Sequence, residues 1–268
     1  MPESSVLEGI VDAVRTRMAN ETEPGDLADR AAELRESSPR RSLCEALLAD
    51  GPSIIAECKK ASPLAGILSV DFDPAGLATR YQAAGASAIS VVTEPDFFQG
   101  RLEWLAAVRQ AVDLPVLRKD FIVDERQLRE AAALGADAVL LIQRILPGDR
   151  LSDLIGAAGE LGLETLVEIF VDEDPTPTVA SGAAIIGVNA RDLATFDTRL
   201  DLVEAMADRL PTDRVRVAES GITSHEDVVK LRNAGYDAFL IGEHLVRAKT
   251  PEIALQRLLA LDVGSCDE

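Results

Sequence analysis

The chain has 268 residues, 47 % of them hydrophobic but only 4 % aromatic, and 46 acidic against 27 basic side chains give it a formal net charge of −19. A surface this acidic repels nucleic acid and anionic membrane, so neither is an expected partner. No apolar run reaches membrane-spanning length, and three widely spaced cysteines, Cys44, Cys58 and Cys266, argue against a disulfide framework or a zinc knuckle.

The opening stretch MPESSVLEGIVDAVRTR is acidic and amphipathic and has no apolar signal core, so a cytoplasmic protein is expected. Residues 6–18 read as one amphipathic helix and residues 24–37 as a second. Residues 1–50 are therefore expected to form an N-terminal helical extension packed on a domain spanning 51–268. The first strand is SIIAEC (53–58), followed by AISVV (88–92), PVLRK (115–119) and AVLLI (138–142). TLVEI (165–169), IIGVN (185–189), RVRVAE (214–219) and AFLIG (238–242) bring the number to eight. Helical patterns lie between them at 102–112, 125–134, 149–161 and 224–234.

A repeat underlies this order. AAGASAISVV (83–92), ALGADAVLLI (133–142), ASGAAIIGVN (180–189) and NAGYDAFLIG (233–242) each join a helix end, a glycine and an apolar strand. The glycine is the expected left-handed helix stop. The strands show no polar alternation, so both faces should be buried, as in a parallel sheet covered by helices. Eight alternating units predict an α/β fold, a (β/α)8 TIM barrel. The alternative is an open doubly wound sheet, but its GxGxxG fingerprint after the first strand is missing.

Several strands end in charge. Strand side chains alternate, so Glu57 and Lys59 point one way and Cys58 the other. Lys119, Glu168, Asn189 and Glu219 end four further strands. One such residue is ordinary loop chemistry. Five strand ends repeating it predict a cavity at the C-terminal mouth of the barrel, where barrel enzymes keep their sites. With only His225 and His244 in the chain, Lys and Glu are the expected proton-transfer agents.

The loops after strands seven and eight, AESGITSHED (218–227) and LIGEHLV (240–246), hold the candidates for an anion site: Ser220, Gly221, Gly242 and Glu243. Barrels grip phosphate at these two loops through backbone N–H groups. A carboxylate at Glu243 fits only if its main chain binds and its side chain turns away. Lys59 and Ser62 could reach the same anion or the other end of the substrate. Phe97, Phe98 and Phe121 follow strands two and three and could sandwich an aromatic ring or pack as core. Arg191, in GVNARDL, could clamp a carboxylate or form a structural ion pair with Asp192 or a neighbour. Trp104 is expected to pack, and His225 to face solvent. No spacing suggests a metal site.

AECKKASPLAG, LRKDFIVDERQL, GADAVLLI, LVEI, GVNARDL, VAESGI and LIGEHLV resemble, in order, the motifs of the indole-3-glycerol-phosphate synthase family. The resemblance spans residues 50 to 250. It implies a carboxy-lyase of tryptophan biosynthesis that acts on 1-(2-carboxyphenylamino)-1-deoxyribulose 5-phosphate. Ring closure, decarboxylation and dehydration would yield indole-3-glycerol phosphate, with no cofactor and no metal. It further implies that Lys119 is the general acid, that Glu168 transfers a proton in the dehydration, and that Lys59 and Glu57 form a charged pair near the reacting centre. Asn189 and Glu219 would position sugar hydroxyls, and Arg191 and Ser62 would face the polar end of the substrate. Ser220, Gly221, Gly242 and Glu243 would hold phosphate, and Phe98, Phe121, Leu140, Leu193 and Leu240 would line an anthranilate pocket.

Two positions depart from the family pattern. Leu64 in SPLAG stands where many members carry a small polar residue, and His244, after Gly242-Glu243, replaces a usually small one. The rival readings are a phosphate-binding barrel isomerase such as phosphoribosylanthranilate isomerase, and a catalytically silent barrel that binds a phosphorylated ligand or a partner protein. The two-lysine, three-glutamate set and the N-terminal extension argue against the first, and the retention of every strand-end charge against the second. The expected partner is a small phosphorylated molecule, and a monomer is the working expectation. The acidic excess also fits a high-salt cytoplasm.

Overall fold

The computed structural model describes residues 5–191 and 198–261. Three helices precede the first strand: α1 (Ser5–Asn20), α2 (Leu27–Ser37) and α3 (Leu43–Leu47). Eight parallel strands follow: β1 (Ser53–Cys58), β2 (Ala88–Val92), β3 (Val116–Lys119), β4 (Ala138–Ile142), β5 (Glu164–Phe170), β6 (Ile185–Asn189), β7 (Val215–Glu219) and β8 (Ala238–Ile241). They close into a barrel in the order β1-β8-β7-β6-β5-β4-β3-β2. The helices between and after them are α4 (Pro74–Ala83), α5 (Trp104–Ala111), α6 (Glu125–Ala133), α7 (Arg150–Glu160), α8 (Thr176–Ala180), α9 (Leu200–Met206), α10 (His225–Asn233), α11 (Glu243–Arg247) and α12 (Pro251–Leu258). The architecture is a (β/α)8 barrel.

The strands are buried on both faces because one side meets the helices and the other fills the barrel. Ile54, Ile89, Leu117, Val139, Val167 and Ile186 are all wholly buried. Each such side chain contributes roughly 1.5–3 kcal/mol when taken out of water. Helix starts are written locally. The Asp73 side chain accepts the Gly76 N–H at 3.1 Å ahead of α4, and reciprocal capping boxes open α6 (Asp124 with Gln127) and α10 (Ser224 with Asp227). The repeat's glycines, Gly85, Gly135, Gly182 and Gly235, have φ of 97°, 83°, 82° and 106°, the left-handed stop that ends each helix before its strand.

The three leading helices are tied to opposite ends of the barrel. At the end where the strands begin, the Glu164 carboxylate accepts the Ser42 hydroxyl at 2.8 Å and the Cys44 N–H at 3.0 Å. Asp137 there accepts the Arg41 N–H and pairs with buried Arg109 at 2.7 Å. Helix α2 packs on α6, with Arg129 forked onto Glu23 just ahead of α2. Helix α1 lies over the other end, the open mouth.

His225 does not simply face solvent as its position suggested. It is half-buried, and its Nδ1 lies 2.8 Å from the Leu258 carbonyl, which ties α10 to α12. Trp104 packs as expected, its ring 4.9 Å from that of Phe72.

Candidate active site

A cavity of about 1050 Å³ opens at the C-terminal mouth of the barrel. The alternation of side chains along each strand decides what lines it. In parallel register Ile142 sits opposite Glu168, Glu168 opposite Gly187, and Asn189 opposite Glu219. Glu57, Lys59, Lys119, Glu168, Asn189 and Glu219 all line this cavity. Cys58, of opposite parity, is buried on the helix side near the Pro74 carbonyl.

Two ion pairs organise the floor. Lys59 Nζ donates to Glu57 Oε1 at 2.6 Å. Lys119 Nζ donates to Glu168 Oε2 at 2.9 Å and lies 3.5 Å from Glu219 Oε2. Burial alone would push the Glu57 carboxyl up, but the ammonium groups of Lys59 and Lys119 outweigh it and hold the group below the usual range. Burial alone would likewise lower Lys119, yet Glu168, Glu219 and Glu57 raise it, so it stays cationic. Glu219 is the opposite case. Burial pushes it well above the usual carboxylate range against the pull of Lys119, and neighbouring Glu168 adds to the rise. Neither of its oxygens accepts a hydrogen bond from the described residues. Protonated, Glu219 becomes a donor beside Glu168 instead of a second anion.

Two glycines make room for these carboxyls. A Cβ on Gly187 would collide with Glu219 Oε1, and one on Gly242 with Glu57 Oε1. Gly187 was not singled out in the sequence, although an isolated glycine inside a strand signals a close approach of this kind.

The cavity has an apolar wall and a polar end. Phe98 and Phe121 face each other with ring centroids 6.0 Å apart, and Leu140 and Leu240 line the same space. Phe97 does not line it. At the polar end lie Ser220, Gly221, Gly242, Glu243, Ser62 and Arg191. Ser220 takes φ 69°, a left-handed conformation costly for a residue with a Cβ, and turns the backbone after β7. The Glu243 side chain turns to Arg247 at 3.0 Å and Arg191 at 3.6 Å, so Glu243 is a neighbour that pairs with Arg191. Asn189 Oδ1 accepts the Arg191 N–H at 3.0 Å, and Ser62 Oγ accepts the Ala65 N–H at 3.1 Å within the loop after β1. Asp192, Leu193 and Cys266 lie outside the described residues. Leu64 and His244 also line the cavity.

Helix α1 supplies Val6, Leu7 and Ile10 to the cavity, and Arg247 joins the polar end. Neither was anticipated. The helical period shows that α1 buries a face, but not what that face covers. Among the described residues no three His, Cys, Asp or Glu side chains are grouped to hold a metal ion, and no helix is long and apolar enough to cross a membrane.

Fold and cavity together define a (β/α)8-barrel protein whose site joins paired ammonium and carboxyl groups, an aromatic slot and a basic, backbone-lined end. Comparison with known proteins specifies this further. The family model for indole-3-glycerol phosphate synthase matches residues 7–258. The indole-3-glycerol phosphate synthase of Salinibacter ruber is 46 % identical over 260 residues, covering 96 % of each chain. That of Rhodopirellula baltica is 42 % identical over 257 residues, covering 96 % of this chain and 99 % of the relative. A mutant tryptophan synthase alpha-subunit from Pyrococcus furiosus superposes with a TM-score of 0.58 at 16 % identity, over 78 % of this chain and 98 % of that one, and shares the fold alone. This chain belongs to the indole-3-glycerol phosphate synthase family.

Proposed function

We propose that the chain is a decarboxylating lyase of tryptophan biosynthesis that converts 1-(2-carboxyphenylamino)-1-deoxyribulose 5-phosphate into indole-3-glycerol phosphate, carbon dioxide and water. The observation that carries this reading is the meeting of Lys59, Lys119, Glu57, Glu168 and Glu219 in one cavity, with an aromatic slot beside them. The aryl group lies against the wall formed by Phe98, Phe121, Leu140 and Leu240. The phosphate is held by the backbone at Ser220, Gly221, Gly242 and Glu243. Arg191 and Ser62 meet the polar end of the substrate, and Asn189 and Glu219 position sugar hydroxyls.

In ring closure the aryl carbon that bears the carboxylate attacks the sugar ketone. Negative charge grows on the ketone oxygen, and Lys119 neutralises it and donates a proton. A raised lysine still protonates an alkoxide, which is the stronger base. The carboxylate then leaves as carbon dioxide, and its bonding electrons restore the aromatic ring. Dehydration removes the new hydroxyl as water and a proton from the ring methylene. That needs an acid and a base on opposite sides of the intermediate, which lysine and glutamate on different strands provide. Glu168 serves this proton transfer, and the Lys59–Glu57 pair sits near the reacting centre. The N-terminal helices belong to the working unit, because α1 closes one side of the cavity.

A carbon dioxide release assay tests the reading. Stoichiometric release from the carboxyphenylamino substrate is expected. Turnover of phosphoribosylanthranilate without release would indicate an isomerase, and no turnover of either a silent barrel.

A further inference from the structure

One buried carboxylate near the cavity has no part in these steps. Glu94 follows β2 and is 0 % exposed. It accepts the N–H of Asp96 at 3.0 Å, of Phe97 at 2.7 Å and of Phe98 at 3.0 Å. Its own carbonyl accepts the Gly100 N–H at 2.8 Å, so residues 94–100 close on themselves, with Gln99 turning at φ 51°. Arg17 of α1 lies 2.8 Å from Asp96 and 4.0 Å from Glu94. Burial pushes the Glu94 carboxyl up, and the three amide N–H groups pull it back. Burying such a group is costly unless it is satisfied. Here the return is the fixing of three successive amides.

Phe98 is the residue of this loop that enters the cavity, opposite Phe121. Phe121 is held in a matching way. Its N–H donates to Asp120 at 2.8 Å, and Asp120 is anchored by Arg118 at 2.9 Å and by the Thr93 hydroxyl at 2.6 Å. Thr93 is the chain neighbour of Glu94. Two buried carboxylates on adjacent strand ends thus pin the two facing rings.

We infer that Glu94 is a positioning residue that sets Phe98 against Phe121 and so fixes the slot for the aryl ring of the substrate. The inference rests on the assignment of that slot to the aryl group made above. The ring must present one carbon to the ketone within a few tenths of an ångström, and a loosened wall forfeits that alignment.

The test compares Glu94→Gln, Phe98→Ala and the double variant. Glutamine keeps the size of the side chain but puts an NH2 donor among amide donors. The readouts are kcat and KM, and calorimetric binding of two probes: indole-3-glycerol phosphate, which carries the aryl ring, and ribulose 5-phosphate, which lacks it. Glu94→Gln is expected to raise KM and weaken the aryl probe by about tenfold to a hundredfold. The ring-less probe should bind as before, and the substitution should add nothing in the Phe98→Ala background. Equal loss of both probes, fully additive losses, or no change in Glu94→Gln overturns the inference. Should Glu94→Gln not fold, Arg17→Met gives the same reading in weaker form, with selective loss of the aryl probe supporting the role and uniform loss or none opposing it. Normal aryl binding by Phe98→Ala would sink the slot assignment together with this role. Loss in Phe98→Ala with a normal Glu94→Gln would sink this role alone.

Discussion

Lys119 Nζ lies 2.9 Å from Glu168 Oε2, joining the ends of two strands that are 49 residues apart in the chain. Both groups face the cavity, and Glu219 approaches the same ammonium at 3.5 Å. Lys119→Met and Glu168→Gln are expected to lower kcat by about 10²- to 10³-fold or more, the scale lost when a group aimed at developing charge is removed. Circular dichroism should show the barrel intact. Near-normal turnover in either variant removes that residue from the mechanism.

Gly187 should affect turnover through Glu219. A Cβ at Gly187 meets Glu219 Oε1, with Leu166 Cδ1 at 3.2 Å beside it. Gly187→Ala is expected to cost about 1–3 kcal/mol of stability through overpacking and to lower kcat by displacing the carboxyl. In a Glu219→Ala background the added methyl should no longer lower kcat. A full further loss there would mean that Gly187 acts by another route.

The two carboxyls with opposite shifts predict opposite pH effects. Glu57 is held low, so its contribution to stability is present above the unfolded value of about 4.3 and is lost as pH falls through its folded pKa. Glu219 is raised, so its folded form keeps a proton that the unfolded chain has released. Its contribution is complete below about 4.3 and is lost as pH rises through its folded pKa. Glu219→Gln should therefore flatten the fall of Tm with rising pH and leave the acid limb in place. An unchanged slope would mean that Glu219 is ionised throughout.

The net charge of −19 predicts a response to salt. Raising KCl from about 0.1 M to about 1 M shortens the screening length from about 10 Å to about 3 Å and relieves repulsion across the acidic surface. Tm should rise with KCl, by roughly 2–4 °C for each kcal/mol recovered in a chain of this size. Equal Tm without salt would remove the high-salt reading of the composition.

The barrel was legible because its strands are short apolar runs between glycine stops, and the strand ends in charge marked the mouth. Parity along SIIAEC correctly separated Glu57 and Lys59 from Cys58. What the sequence did not show was contact between distant parts. The apolar face of α1 announced burial but not the cavity that Val6, Leu7 and Ile10 cover. His225 stood near a helix start, and only the packed α12 brought the Leu258 carbonyl to it. Nothing in the sequence marked Glu94, because its three partners are backbone groups, which carry no mark in a sequence.

The most direct measurement is a single turnover of the carboxyphenylamino deoxyribulose phosphate with excess protein, following carbon dioxide and indole fluorescence together. One carbon dioxide is expected per indole-3-glycerol phosphate formed by the native chain. Lys119→Met should bind the substrate and form neither. Carbon dioxide and indole-3-glycerol phosphate formed at native rates without Lys119, or no product from the native chain, would contradict this mechanism.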